Sequence, residues 1–309
     1  MPPRHHLREA TRRPRSAALL AAAAFALLGL SASLPAIAQP AQHIPARPDP
    51  LSRTPQQWID AAAAHEVPMI QYDLPYLRFH MLYKGEKGLE LRDEIESRDG
   101  MVARVISKNG RPLTPAEDAA ERDRLQHLLE NPSEFYNHHK HDQQDKNHAA
   151  MLVKLLPRAM LFTYAADQTP APNDSGPQVV LDYKPNPAFK PPSMESEALQ
   201  GISGRIWIDT ASEHMVRMHA DVISDVSFGW GLVGRLYRGG KLDLDQTDAG
   251  PRWMFQRLNE QVSARVVIVK VNTNVQLEEN GYSTVPAMGF QDAIRILLNT
   301  PLPAQCPCN

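Results

Sequence analysis

The amino-acid sequence predicts an α+β fold, built on one large, curled antiparallel sheet with helices covering its concave face. Segments rich in β-branched and aromatic residues, separated by turn dipeptides, predict about ten strands. Three helical segments begin at N-capping residues, and two of them stand in the middle of the chain. Because about 260 residues of this texture suit one sheet with helices against it, we expect a single domain over residues 51–309.

Two of the three predicted helices open with the same capping pattern. Thr54 and Thr114 are each followed by proline, and a Gln or Glu three residues later completes a capping box. The third helix is expected to end before Pro157, since proline cannot continue the hydrogen-bond ladder. The predicted helices cover residues 51–66, 114–131 and 133–156, so that the mid-chain pair occupies 114–156.

The predicted strands fall into two groups on either side of the mid-chain helices. In the first group, turns containing Gly88, Gly100 and Gly110 follow the strands, which is typical of a meander. In the second group, Leu242 and Leu244 alternate with charged residues, which predicts one buried and one solvated face. The predicted strands cover residues 76–83, 89–97, 101–107, 160–166, 179–183, 203–208, 215–228, 241–246, 253–259 and 263–277.

The first 38 residues have the three parts of a secretory signal peptide. Five arginines precede an apolar run over residues 17–30, and the small-residue triplet at 36–38 marks a cleavage site. The run is shorter than the roughly 20 residues that a membrane-spanning helix needs. We therefore expect a cleaved signal peptide over residues 1–38, an extended Pro-rich leader over 39–50, and a periplasmic or secreted protein with no membrane span.

Export and charge restrict the partners further. Arg12 and Arg13 are followed by Pro14, which favours the general secretory route over the twin-arginine route. Removal of the signal peptide takes away five arginines and one glutamate, so the formal net charge of −2 becomes −6. An acidic mature chain argues against nucleic acid as a partner.

A motif in the second half resembles a known superfamily. Residues 204–209 (GRIWID) end one predicted strand, and residues 215–218 (MVRM) begin the next. Together with the signal peptide, the opening helix and the mid-chain helices, they make the chain resemble a secreted bacterial branch of the LolA-like (lipoprotein-carrier) superfamily. The resemblance implies a half-barrel closed by helices that binds acyl chains or lipidated partners without catalysis.

Two short enzyme motifs are considered and set aside, one for its structural context and the other for a proline in its helix. Residues 229–234 have the GxGxxG spacing of a dinucleotide site, yet a strand pattern follows where that motif requires a helix. His65 and Glu66 are followed by Pro68, which we expect to interrupt any HExxH helix. The sequence also lacks a GxSxG nucleophile elbow. We therefore predict a non-enzymatic protein without a cofactor.

Paired carboxylates offer a second route to enzyme chemistry. Glu94 and Glu96 share one face of a predicted strand, as do Asp243 and Asp245. Such pairs more often mark a solvent-facing strand than an acid/base couple. We therefore expect these four side chains to lie on solvated faces.

A His-rich segment over residues 138–148 offers a metal site as an alternative. Helical spacing would place His141, Asp145 and His148 on one face, where they could hold zinc or copper. The surrounding Gln, Asn and Lys residues favour a solvated helix face instead. No metal ligand is therefore predicted, and metal binding stays an alternative function.

The large aromatic residues of the second half are the candidate binding residues. Such rings either pack under the helices or line a cavity. The leading hypothesis is a periplasmic binding or carrier protein for an apolar ligand, either a lipid or a lipidated protein. The alternative partner is an envelope protein bound at an exposed strand edge by a sensor or assembly factor. The candidate ligand-binding residues are Trp207, Phe228, Trp230, Trp253 and Phe255.

Overall fold

The computed structural model describes residues 50–71, 74–86, 88–172, 176–229, 233–266 and 268–303. Across these residues the chain forms four α-helices and one antiparallel sheet of 13 strands. The sheet is curled and does not close into a barrel, which confirms the predicted fold class. The predicted signal peptide, the predicted leader up to residue 49, and Trp230 lie outside the described residues.

The elements follow one another along the chain with the two middle helices between two groups of strands. The helices are α1 Pro55–Gln71, α2 Pro115–Glu130, α3 Pro132–Ala159 and α4 Phe290–Asn299, with short 3₁₀ helices at Pro50–Ser52 and Glu195–Gly201. The first strands are β1 Leu77–Gly85, β2 Gly88–Ser97, β3 Gly100–Lys108 and β4 Arg111–Pro112. The remaining strands are β5 Met160–Tyr164, β6 Gln178–Pro185, β7 Ile202–Asp209, β8 Met215–Val222, β9 Val226–Phe228, β10 Gly234–Leu236, β11 Lys241–Asp248, β12 Trp253–Val266 and β13 Val269–Thr284.

The sheet joins both groups of strands into one surface. Its order is β4-β3-β2-β1-β13-β12-β11-β8-β7-β6-β5, and the small β9–β10 hairpin attaches to β12. The two groups meet where β1 pairs with β13, with Met81 opposite Glu279 and Tyr83 opposite Leu277. Residues directly opposite each other in an antiparallel pair share a face, so these four side chains lie on the same face.

The main hydrophobic core lies between the concave face of the sheet and the helices α1 and α3. Trp58 and Ile59 of α1 and Leu152 and Leu156 of α3 are buried there. The capping box predicted at Thr54 is present, because the Thr54 amide donates to Gln57 Oε1 and the Gln57 amide donates to Thr54 Oγ1. The sheet contributes side chains from several strands to this core, including Leu181, Ile206, Leu242 and Leu258.

A second core covers the opposite face of the sheet at its β2–β3 end. Ile95 of β2 and Val102 of β3 pack there against Leu125 of α2 and against α4. The rings of Phe135 and Phe290 stack with their centroids 4.1 Å apart. The helix α4 was not predicted, so the sheet has helices on both faces at this end.

The structure corrects two predicted helix ends. α1 continues through Pro68 to Gln71, and α3 continues through Pro157 to Ala159. Proline removes one backbone hydrogen bond from a helix. Ile70 and Ala159 are buried beyond the prolines, and their tertiary contacts offset that loss.

Two strand predictions are also wrong in detail. The strand predicted over residues 215–228 is divided into β8 and β9 at residues 223–225, where the Asp225 carboxylate accepts a hydrogen bond from the Arg238 amide. The predicted break between residues 259 and 263 does not exist, since β12 runs without interruption to Val266. Among the described residues, no helix is both long and apolar enough to cross a membrane.

Candidate ligand cavity

A cavity lies between α3 and the concave face of the sheet. Its volume is ≈ 390 Å³, and ligand pockets generally have volumes of about 300–1,000 Å³. The walls come from α3, from the second 3₁₀ helix and from strands β1, β2, β3, β7, β8, β11, β12 and β13. The cavity therefore extends across the junction between the two groups of strands.

The part of the cavity under the C-terminal half of α3 is apolar. Leu152, Val153 and Leu156 of α3 form one wall. The register places Met218, Leu244, Leu258 and Leu277 side by side across four neighbouring strands, so they form a continuous aliphatic surface opposite the helix. Leu199, Ile202 and Leu242 complete the apolar lining.

The part of the cavity under the N-terminal half of α3 is acidic. Glu94 and Glu96 of β2 and Glu279 of β13 line it, and all three side chains are buried. Glu96 is fully paired, because it accepts hydrogen bonds from Arg252 Nη2 at 2.5 Å and from the Leu77 amide at 2.8 Å. Glu279 Oε2 lies 3.4 Å from the Tyr282 hydroxyl.

Burial changes the protonation of two of these carboxyl groups. Burial raises the pKa of Glu94 to about 7; nearby Arg92 lowers this pKa, and Asp93 and Asp142 raise it. Burial, followed by the charges of Glu94 and Glu96, raises the pKa of Glu279 well above its ordinary value. An ionised carboxylate is costly in an apolar setting, so both groups hold protons more strongly than in water.

α3 brings its own charged side chains to the acidic part. His139, Asp142, Asp145 and Lys146 line the cavity there. Burial and the charge of Asp142 raise the pKa of Asp145. A Cβ at Gly100 would lie 2.4 Å from His139 Nδ1, so the glycine allows α3 to approach β3 closely.

The prediction that Glu94 and Glu96 lie on a solvated face is wrong. α3 covers their face of the sheet, and α4 covers the other face, so β2 is buried on both sides. Asp245 is also buried, because Arg217 and Arg257 cover it, with nitrogens 3.4 and 3.3 Å from its carboxylate oxygens. Asp243 remains partly exposed, and its Oδ1 lies 2.8 Å from His219 Nδ1.

The structure does not bring the five predicted aromatic residues together. Phe255 lines the cavity, whereas Trp207 lies on the opposite face of the sheet, where its Nε1 donates to the Thr169 carbonyl. Phe228 packs at the edge of the main core. Trp253 stacks on His214 with ring centroids 4.8 Å apart and lines a separate surface pocket.

Sequence reasoning missed the acidic residue of β13. Glu279 follows Leu277 by two positions, so the two side chains lie on one face of the strand, and Leu277 belongs to the core side. A charged residue in register with core residues on a strand is the signal that could have identified it.

The two motifs set aside in the sequence have ordinary structural roles. Gly234 begins β10, so the described residues after the GxGxxG spacing form a strand and not a helix. In the His-rich segment, His138 Nδ1 lies 2.9 Å from Asp142 Oδ2 on an exposed part of α3. Within the described ranges, no group of three or more His, Cys, Asp or Glu residues could hold a metal ion.

Comparisons of the chain with protein-family models, with curated proteins and with solved structures gave no match.

Proposed function

We propose that the protein binds an apolar ligand in the cavity under α3 and carries it without changing it chemically. The ligand class is a lipid or the acyl chain of a lipidated protein. The observation that supports this proposal is the continuous aliphatic surface that faces Leu152 and Leu156 across the cavity. Each methylene group that moves from water to such a surface contributes about 0.8 kcal/mol.

The size of the cavity also supports a ligand of this class. An apolar cavity of about 150 Å³ already holds benzene in another protein. The volume here is ≈ 390 Å³, and its apolar lining continues from α3 to the 3₁₀ helix. An aliphatic chain suits this apolar lining better than a compact polar metabolite does.

The proposal places the protein in the periplasm or outside the cell. The arginines, the apolar run and the small-residue triplet of residues 1–38 support export. The resemblance of residues 204–209 and 215–218 to LolA-like carriers supports the same ligand class. Movement of α3 away from the sheet would release the ligand, since α3 forms one whole wall of the cavity.

Native mass spectrometry of the chain from Gln39 onward, exported and gently purified, tests the proposal directly. We expect a bound apolar molecule that solvent extraction releases. A mass that equals the chain alone, and that stays unchanged after incubation with mixed lipids, would contradict the proposal.

A matched pair of variants tests where the ligand binds. Ala149 lines the cavity, whereas Gln144 is exposed on the same helix. We expect Ala149→Phe to fill the apolar space and weaken binding of a fluorescent fatty alcohol about tenfold, equivalent to about 1.4 kcal/mol. Gln144→Phe should leave the affinity unchanged. Equal affinities of the two variants would place the ligand elsewhere.

A further inference from the structure

Glu94 is a buried carboxyl group that faces the cavity without a partner. Its residue is 4% exposed and lines the acidic part. It makes no hydrogen bond and no ion pair with any residue in the described part of the chain, although Arg92 lies two positions away on the same strand. The Arg92 guanidinium instead pairs with Glu90 at 2.7 Å. Buried polar groups in proteins almost always have partners, so an unpartnered carboxyl group that faces a cavity points to a ligand.

The carboxyl groups that line the cavity outnumber the permanent cations that line it. Five carboxyl groups line the cavity, and two permanent cations, Lys146 and Arg257, line it with them. Arg257 makes its ion-pair contacts with Asp245 at 3.3 Å and Glu278 at 3.8 Å, neither of which lines the cavity. Arg252 neutralises Glu96 from outside the lining.

The remaining charges come from α3 and β13. Asp142 and Asp145 on α3 face the same space as Glu94, although Asp142 also lies 2.9 Å from His138 Nδ1. Glu279 on β13 is 7% exposed beside it. His139 is the one histidine among the residues that line the cavity. The acidic part of the cavity is thus suited to a positively charged group.

We propose that the cavity takes a cationic amphiphile, with a primary ammonium group among Glu94, Glu279 and Asp142 and an aliphatic tail along the C-terminal half of α3. The inference rests on the proposed function, because it needs the tail to lie in the apolar part. An ammonium group has three donors, which suits a site with several carboxylate acceptors. A carboxylate or phosphate head group would add negative charge to the same site.

Protonation gives this ligand a distinct pH dependence. In the empty site Glu94 and Glu279 bind protons more strongly than in water, since the pKa of both groups is raised. An ammonium group favours the ionised carboxylates, so its binding releases protons and becomes tighter as the pH rises. A neutral head group on the same tail lacks this dependence.

Three ten-carbon probes distinguish the head groups in calorimetric titrations, at concentrations below those at which the probes form micelles or separate from water. We expect decylammonium to bind at least about tenfold more tightly than decanol, which is equivalent to about 1.4 kcal/mol. Decanoate should bind most weakly of the three. The affinity for decylammonium should rise between pH 5.5 and pH 8, whereas that for decanol should not. These measurements need no variant, so they hold even where a substitution prevents folding.

Variants then locate the ammonium group. Glu94→Gln and Glu279→Gln should each reduce the preference for decylammonium over decanol and leave decanol binding unchanged. Glu278→Gln is the matched control, because Glu278 neighbours Glu279 on β13 but is solvent-exposed and lies outside the lining. It should keep the preference.

The outcomes distinguish this inference from the proposed function. If decanol and decanoate bind as tightly as decylammonium, the cavity binds apolar tails, and the inference of a cationic head group is wrong. If none of the three probes binds, the proposed function fails with it. A preference for decylammonium that survives in both Gln variants would place the ammonium group away from Glu94 and Glu279 and overturn the inference.

Discussion

Glu66 of α1 and Gln246 of β11 are joined by a buried hydrogen bond, in which Gln246 Nε2 donates to Glu66 Oε2 at 3.0 Å. The other carboxylate oxygen of Glu66 accepts the Met215 amide at 3.0 Å and lies 3.1 Å from His214 Nδ1. Glu66 is 1% exposed. One carboxylate thus fastens the first helix to two neighbouring strands in the middle of the sheet.

Replacement of Glu66 should loosen the attachment of α1 to the sheet. Glu66→Ala removes the acceptor of the Met215 amide and the acceptor that Glu66 offers to Gln246 Nε2, and each unsatisfied buried group costs about 1–3 kcal/mol. We expect the free energy of unfolding to fall by about 3 kcal/mol in urea denaturation. Glu66→Gln should lose less, since its amide oxygen still accepts a hydrogen bond.

Glu213→Gln is the control for the Glu66 variants. Glu213 contacts Arg53 at 2.6 Å, but both side chains are partly exposed, and such ion pairs contribute about 0–1 kcal/mol. An equal loss of stability in Glu66→Ala and Glu213→Gln would show that the buried network does not hold α1.

Arg104 should hold the C-terminal end of α4 in place. Its side chain is 2% exposed and donates to the carbonyls of Leu297 at 2.5 Å and Thr300 at 2.7 Å, at the C-terminal end of that helix, and to Asp118 at 2.8 Å. Arg104→Met removes the side chain that joins the C-terminal end of α4 to Asp118 of α2, and hydrogen bonds to charged groups contribute about 1.5–3 kcal/mol each. Limited proteolysis should then cleave near α4 in the variant and not in the wild-type protein.

Arg122→Met provides the comparison for Arg104. Arg122 Nη1 donates to the neighbouring Leu298 carbonyl at 2.7 Å, but its side chain is exposed. Water can replace that contact, so we expect little change in stability and no new cleavage. Cleavage of both variants at α4 would show that burial of Arg104 has no special role.

Gly204 explains part of the GRIWID motif in physical terms. A Cβ at this position would lie 1.9 Å from the His219 carbonyl oxygen and 2.9 Å from the Tyr183 hydroxyl. Tyr183 donates to that same carbonyl at 3.0 Å and passes over the glycine. We expect Gly204→Ala to force β7 and β8 apart and to lower the free energy of unfolding by about 1–3 kcal/mol. Ser203→Ala, at the preceding position, should change it little.

Local signals predicted most of the fold because they need no distant partner. The capping box at Thr114 is present as predicted, and so are the turns at Gly88 and Gly100. The helix α4 was missed although Phe290, Ala293, Ile294 and Leu297 have helical spacing and are buried together. This signal is local as well, so the sequence alone is sufficient to predict α4.

The candidate site was harder to predict because burial of a strand depends on what covers it. Glu94 and Glu96 alternate with Ile95 as they would on an exposed strand, and the sequence does not say that α3 and α4 cover the two faces. Arg252, which neutralises Glu96, is 156 residues away along the chain. Short-range patterns carry no information on such a pair.

Stability should fall as the pH rises, because buried carboxyl groups hold protons in the folded protein. Glu260 is 3% exposed, its Oε1 has no hydrogen-bond partner among the described residues, and burial raises its pKa to about 7. In the unfolded chain the group has its ordinary pKa of about 4.3, so the folded state binds more protons between these two values. Its contribution is fully present below the unfolded pKa and is lost as the pH rises through about 7.

Glu260→Gln isolates this contribution from those of the other buried carboxyl groups. A pKa shift of one unit corresponds to about 1.4 kcal/mol, so Glu260 accounts for up to about 3 kcal/mol of the stability lost between pH 4.5 and pH 8. Urea denaturation at these two pH values should show a smaller difference in the variant than in the wild-type protein. Glu94→Gln should act in the same direction, because the pKa of Glu94 is also raised to about 7.

An identical pH dependence in the wild-type protein and in Glu260→Gln would mean that Glu260 is ionised and solvated at neutral pH. Such a result would place water beside Glu260, between β11 and β13, where the structure has it buried.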